Sequence, residues 1–369
     1  MIPQAAPGLR FRRFDSAIQA ALSRTLESGT LILGSQVDAF EKAFADYIGV
    51  RHCVGVNSGT DAVALALRAL GVGSGSEVIT VSMTAAGTAM GILLAGAEPR
   101  FIDVDPSTRC MDLDALAGAI TPRTAAVVPV HLHGFPVDMP GLLDVARRHG
   151  LLVVEDCAQA HGATIGGRRV GSFGHAAAFS FYPTKNLGCA GDGGAVVTDD
   201  PIVASRLRAM RNYGCSDGSR ASLHAGVNSR LDEVQAAVLN VRLPYLDEGN
   251  RERLAVAQEY RRRLEGVEGL NLPAHDPGAV YHQFAVAVDA PRDAVRDFLA
   301  SRGIGTGVHY PLPLHKQPAF EKFCAAPLPA AEALAEKLIS LPIQPEVAGR
   351  SAPLIAKTLT AALDSCRKS

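Results

Sequence analysis

Apolar positions along the chain change period repeatedly, from the 3.6 of a helix to short unbroken runs. In 35–47, Val37, Phe40, Phe44 and Tyr47 recur at helical spacing, and 15–27 reads as a helix before them. Residues 53–56 make a short apolar run, and 60–70 an Ala- and Leu-rich helix that Gly71 stops. The alternation continues with strands at 77–81, 100–104, 125–130 and 151–155, and helices at 84–95, 113–119 and 140–149. Apolar runs of this length, separated by helices, predict a mostly parallel sheet covered on both faces. Strands at 176–181 and 194–198 are close enough to pair through the glycine-rich loop between them, and they bring the sheet to seven.

After about residue 245 the pattern changes. A helix over 231–243 ends before Pro244, and a long charged helix over 248–264 leads out of the first unit. Residues 282–288 alternate like a strand with one exposed face. A helix at 292–301, a strand at 304–309 and helices at 327–338 and 351–365 follow. The expectation is an α/β protein with a large domain over 1–245 and a smaller α+β C-terminal domain over 246–369.

Composition narrows the function classes. The 369 residues are 47% hydrophobic and 20% charged, which suits a large core and excludes a disordered chain. A formal net charge of −1 without a basic run argues against nucleic acid or an anionic membrane as partner. Residues 1–13 lack the apolar core of a signal peptide, and glycines and charges break the apolar stretches well short of a membrane span. A cytoplasmic protein is expected. Seven cysteines with no CxxC pair suit reduced thiols better than disulfides or a zinc site. Cys157 and Cys189 read as small buried hydrophobes.

The most telling segment is Phe179-Ser180-Phe181-Tyr182-Pro183-Thr184-Lys185-Asn186-Leu187-Gly188, a lysine between an apolar strand and a glycine-rich loop. A partly desolvated lysine amine forms a Schiff base with an aldehyde. Asp156 ends the strand Val153-Val154-Glu155-Asp156, where an open α/β sheet presents residues to its ligand crevice. It reads equally as an N-cap or as a carboxylate that keeps a ring nitrogen protonated. Gln159, three residues on, is placed to hydrogen-bond a phenolic oxygen. Ser58-Gly59-Thr60 opens a helix and makes an anion site, with Ser180 a second phosphate donor. No GxGxxG or Walker A pattern occurs. His131 and His133 stand two apart at a strand end and could face the same way, but a third metal ligand is lacking, so no metal is expected. His309-Tyr310 ends a strand of the second domain and reads as cleft lining or interdomain packing. Lysine, strand-end carboxylate and phosphate-type turn, in this order, suit pyridoxal 5′-phosphate (PLP).

With these residues the chain resembles the DegT/StrS-type family of PLP-dependent nucleotide-sugar aminotransferases, of aminotransferase fold type I. Segments that carry the likeness include Gly34-Ser35-Gln36-Val37-Asp38-Ala39-Phe40-Glu41, Glu155-Asp156-Cys157-Ala158-Gln159-Ala160-His161-Gly162, 180–187, Gly191-Asp192-Gly193-Gly194, Arg211-Asn212-Tyr213-Gly214, 226–233 and Gly307-Val308-His309-Tyr310. The resemblance implies that Lys185 carries the covalent link to PLP and shuttles protons. By the same likeness Asp156 pairs with the pyridinium, Gln159 contacts the ring, and Gly59, Thr60 and Ser180 hold the phosphate. Asn228 is implied to reach the phosphate of a neighbouring subunit's cofactor, giving a homodimer with shared sites, and Arg230 to help there or to bind the substrate diphosphate; His309 and Tyr310 are the further candidates for meeting the substrate. The implied reaction takes a nucleotide-linked, dTDP-type keto-6-deoxyhexose, 3-keto or 4-keto, to the amino sugar with L-glutamate as donor. A keto-cyclitol aminotransferase and a non-catalytic regulatory protein of the same fold are the alternatives. Two positions depart from the family pattern. Ala85 stands where many members place an aromatic residue over the ring, and Asp192 where glutamate is commoner. A dehydratase branch that replaces the lysine by histidine is disfavoured by Lys185.

Overall fold

The computed structural model describes residues 1–215, 221–223, 225–324 and 326–367. Three helices, α1 (Pro7–Arg12), α2 (Asp15–Glu27) and α3 (Ser35–Ile48), precede the sheet. Then β1 (His52–Val56), α4 (Gly59–Ala69), β2 (Glu77–Val81), α5 (Ala86–Leu94), β3 (Glu98–Ile102), α6 (Leu113–Ala119), β4 (Thr124–Val128), α7 (Met139–His149) and β5 (Leu152–Asp156) alternate. A small hairpin, β6 (Thr164–Ile165) and β7 (Arg168–Arg169), leads to β8 (Ala176–Ser180) and β9 (Gly194–Thr198). Helices α8 (Pro201–Met210), α9 (Glu233–Arg242) and α10 (Leu246–Leu264) follow. The remainder holds β10 (Leu270–Asn271), β11 (Phe284–Val288), α11 (Arg292–Ser301), α12 (Pro329–Lys337), β12 (Leu338–Leu341), α13 (Pro345–Ala348) and α14 (Ala352–Cys366).

The main sheet has seven strands in the order β1-β9-β8-β5-β4-β2-β3. Only β9 runs antiparallel to its neighbours, pairing Val56 with Gly194 on one side and Ser180 with Gly194 on the other. A second, antiparallel sheet has the order β10-β11-β12. A large, mostly parallel sheet with a smaller α+β unit is the architecture that the sequence leads one to expect.

Strand β8 shows how the pattern works. Ala177 and Phe179 face one core, where Phe44 meets Phe179 at 4.9 Å and Phe181 at 5.4 Å, edge to face. Ala176 and Ala178 face the opposite core, and their small side chains let α4 lie close across the sheet. A third core joins Ile79 and Val153 of the main sheet to Tyr260, Phe284 and Leu359, so α10, β11 and α14 are packed onto the large unit.

Helix α2 has the expected bounds, whereas β3 lies two residues earlier than expected. Helices α1, α8 and α13 and strands β6, β7, β10 and β12 were not expected. Strand β12 takes the place of the strand expected at 304–309. Its Leu341 to Leu338 pair with β11, while 304–309 makes only isolated bridges, Ile304 to Ile2 and Gly307 to Ser340. Gly305 and Gly307 weaken that segment, and Pro311 and Pro313 close it off. No helix among the described residues is long and apolar enough to cross a membrane.

Glu155, fully buried, braces the turn that follows β7. Its carboxylate accepts from Gly171 N (2.8 Å), Phe173 N (2.8 Å) and Gly174 N (2.7 Å), and from His131 Nε2 (3.1 Å). Removing the acceptor strands three amide groups. Glu155→Ala is expected to lose about 3–5 kcal/mol of unfolding free energy in urea titration. Asp144→Ala, which breaks an exposed pair with Arg147, should change it by less than about 0.5 kcal/mol.

Candidate active site

The C-terminal ends of β1, β2, β4, β5 and β8, and the start of β9, meet at one cleft of about 360 Å³. At its phosphate-sized end, Ser58 caps α4 by accepting from Asp61 N (3.1 Å). A Cβ at Gly59 would come within 2.6 Å of the Ser180 Cβ, and one at Gly194 would run into the Ser58 carbonyl. Glycine at both places brings the α4 N-terminus, Thr60 and Ser180 around one space. Free amide groups and a helix dipole there favour an anion.

Asp156 enters from β5. Its Oδ2 accepts from Thr88 Oγ1 (2.7 Å) and its Oδ1 from Ala158 N (3.0 Å). Thr88 Oγ1 in turn lies 3.1 Å from Thr84 Oγ1. No helix starts after Asp156, so the N-cap reading fails and the carboxylate lines the cleft.

Lys185 stands across from it, half-buried on the loop after β8. Burial of the ammonium pulls its pKa down to about 8, against the opposing attraction of Asp156. Its backbone is held from behind. Arg10 donates to the carbonyls of Lys185 (3.1 Å) and Asn186 (3.3 Å), and Arg242 to that of Gly188.

Gln159 is pinned at both ends, accepting from His133 N (2.7 Å) and donating to the Tyr310 hydroxyl (2.8 Å). Burial pushes the Tyr310 phenol up to about 12. His309 lines the same wall, with Nδ1 2.9 Å from Ser340 Oγ, and burial and the Lys185 charge lower its pKa. Ala85, just before α5, gives that wall a methyl group, and Asp192 lines the cleft near Gly193.

Asn228 and Arg230 do not line this cleft. Asn228 is exposed and bridges to Asn212, whose side chain accepts from Arg230 Nη1 (3.1 Å). The two histidines do not face one way. His133 has φ 58°, which turns the chain between them. Its ring is buried, with burial foremost pushing its pKa to about 3. The ligand atoms of His131, Glu155 and Cys157 lie within 4.8 Å of one another. However, His131 Nδ1 accepts from Val137 N (3.0 Å) and its Nε2 faces Glu155, so both ring nitrogens are already engaged. Cys157 and Cys189 are buried and unpaired, as read, and burial raises both thiols.

Sequence reasoning missed Thr88, Thr84, Arg10, His282 and Gln283. A threonine one helical turn from another was a weak signal for the first two. Arg10 is 175 residues from Lys185 and gave none.

The model of the DegT/DnrJ/EryC1/StrS aminotransferase family matches residues 13–360. A dTDP-3-amino-3,4,6-trideoxy-alpha-D-glucose transaminase of Streptomyces venezuelae is 50% identical over 343 residues, 91% of this chain and 89% of the relative. A UDP-N-acetyl-3-dehydro-alpha-D-glucosamine 3-aminotransferase of Acidithiobacillus ferrooxidans is 44% identical, covering 97% and 98%. Among solved structures, S. venezuelae DesV in complex with a ketimine intermediate superposes with a TM-score of 0.95 at 45% identity, covering 98% of each chain.

A lysine with a pKa of about 8 presents its reactive amine near neutral pH. The rate at which PLP is captured by cofactor-free protein should rise about tenfold per pH unit below about 8 and level off above it. Stopped-flow absorbance measures this, and a rise continuing to the ordinary 10.5 would refute the desolvated amine.

Proposed function

The chain belongs to the DegT/DnrJ/EryC1/StrS aminotransferase family, and from that premise we propose its substrate, donor and division of labour. It is a PLP-dependent sugar aminotransferase acting on a nucleotide-linked keto sugar. The finer reading is amination at C3 of a dTDP-linked 3-keto-6-deoxyhexose, with L-glutamate as donor and 2-oxoglutarate released. Both relatives named above carry the amine at C3, and the more similar one takes a dTDP sugar.

The observation that carries this reading is the facing of Lys185 and Asp156 across a cleft whose far end is a glycine-lined anion cradle. The residues fit PLP. Gly59, Thr60 and Ser180 would hold its phosphate through amide and hydroxyl groups, Asp156 its ring nitrogen, and Gln159 its phenolic oxygen. When bound, PLP supplies an electron sink for the pair left by proton removal at the amino-bearing carbon. Lys185 would hold the cofactor through its side-chain amine. Released, its amine takes the proton from the glutamate α-carbon and later returns one to the sugar carbon. Tyr310 accepts from Gln159, which leaves its own proton free to donate to substrate. Neutral His309 beside it adds no charge to the wall.

The site is completed by a second copy of the chain. Asn228 lies outside its own cleft, beside exposed Tyr213 and Val227, whose backbones are bonded to each other (2.9 Å). Leu31 and Ile32 are likewise exposed on the segment that pairs with Asp232. Such apolar groups around a polar side chain suit a self-complementary dimer face, with Asn228 reaching the partner's phosphate and Arg230 the substrate diphosphate.

Two measurements test the reading. PLP-loaded protein should lose its visible colour on adding L-glutamate, and should then aminate a dTDP-linked 3-keto-6-deoxyhexose. Lys185→Ala should have neither colour nor turnover, and substantial remaining transamination would sink the assignment. For the shared site, Lys185→Ala and Asn228→Ala protomers should each be inactive alone. Mixed and re-associated, they should recover about a quarter of the parental activity, since half the dimers are hybrids with one intact site. No recovery in demonstrated hybrids would place Asn228 elsewhere.

A further inference from the structure

His282, at the entry to β11, lines the cleft and is only 6% exposed. Its tautomer follows from its neighbours. Asn186 Nδ2 donates to Asn250 Oδ1 (2.9 Å) and to the backbone carbonyl of Val280 (3.0 Å). Asn250 Nδ2 donates to the backbone carbonyl of His161 (2.8 Å). A backbone carbonyl only accepts, so neither amide can be turned over. The oxygen of Asn186 is therefore what faces His282 Nδ1, at 3.3 Å. The imidazole proton sits on Nδ1, and Nε2 carries the lone pair. Nε2 has no partner among the described residues and is not an enclosed orphan, so it opens to the cleft. Burial first, then the charges of Lys185 and Arg253 with His309 and His161 nearby, keep the ring from protonating. Lys185 lines the same cleft.

We propose that His282 is a specificity-determining residue, its Nε2 accepting a hydrogen bond from the donor on sugar C2, next to the reacting C3. The assignment rests on the function proposed above. An uncharged acceptor in the cleft that holds the lysine suits a donor on a ring carbon flanking the reaction centre. The sugars named for the two relatives differ at C4, where the first lacks oxygen, but both offer a donor at C2, a hydroxyl in one and an acetamido N–H in the other. A fixed lone pair reads what these two groups share. A substrate without the donor leaves that lone pair buried and unpaired, which is how a polar site rejects an analogue.

The test uses the PLP-loaded enzyme, with dTDP-3-keto-6-deoxyglucose and its 2-deoxy counterpart as probes. The unaltered enzyme should favour the 2-hydroxyl sugar in kcat/KM by about 10- to 100-fold. His282→Leu should bring the ratio of the two kcat/KM values close to one, whatever its effect on the glutamate half-reaction that both sugars share. His282→Gln, whose amide oxygen can accept, should restore part of the preference. Nitrogen-15 NMR of labelled histidines, assigned by difference with His282→Gln, should show a protonated Nδ1 and a bare Nε2 between about pH 6 and 8. An unchanged ratio in His282→Leu, or a proton on Nε2, overturns the proposal alone. Failure of the unaltered enzyme to aminate either sugar, with glutamate still bleaching the colour, overturns it together with the substrate class.

Discussion

The cleft depends on one close approach, backbone against backbone, where the turn from β1 into α4 lies on the ends of β8 and β9. A methyl group at Gly59 or Gly194 would overlap Ser180 or the Ser58 carbonyl. A clash of that depth moves strands, because the atoms met include main chain and not only flexible side-chain ends. The contact sets the distance between an anion cradle and everything carried by β8. Since Lys185 follows Ser180 by five residues, it fixes where the lysine stands relative to a bound phosphate.

Across the cleft, desolvation and attraction compete for the lysine proton. Taking an ammonium out of water disfavours the charged form, and a carboxylate opposite restores part of it. The balance leaves the amine near 8, so desolvation wins. Asp156 is spread over two donors, Thr88 and the Ala158 amide, which reduces what it offers Lys185. Under the proposed function, that division suits a carboxylate that would also pair with the ring nitrogen of the cofactor.

Much of this was legible in the chain. The alternating runs between 52 and 198 announce a buried parallel sheet because most of the strands are apolar on both faces, the edge strand β3 with Glu98 and Arg100 being an exception. Lys185, Asp156, Gly59, Thr60, Gln159 and Ser180 could be picked out because strand ends and glycine turns mark the ligand edge of such a sheet. What stayed hidden depends on distant pairs. Strand β12 begins directly where α12 ends, with no turn residue between Lys337 and Leu338, so the text shows one continuous helix-like segment. His282 sits at the entry to a readable strand, but its tautomer follows from Asn186, 96 residues before it, and from Asn250, itself 64 residues from Asn186.

The back of the lysine loop shows why distant residues matter to the chemistry. Arg10, Arg242 and Arg253 are each at least nine-tenths buried, yet the carboxylate nearest them, Glu346, is 3.7 Å from Arg10. Three guanidiniums would be costly there without other acceptors. They find them in main-chain carbonyls, those of Lys185 and Asn186 for Arg10, of Gly188 for Arg242, and of Tyr281 and His282 for Arg253. Those carbonyls belong to the two segments that carry the lysine and the histidine of the cleft. Burial and mutual repulsion lower the pKa of Arg242 to about 9, and the same causes lower that of Arg253. Each cation is therefore tied closely to the backbone it grips. Under the proposed function, a reactive amine must be free to leave and rejoin its cofactor while the chain that bears it stays still. Gripping the loop by its carbonyls achieves this without placing a hydrogen-bond partner on the amine itself.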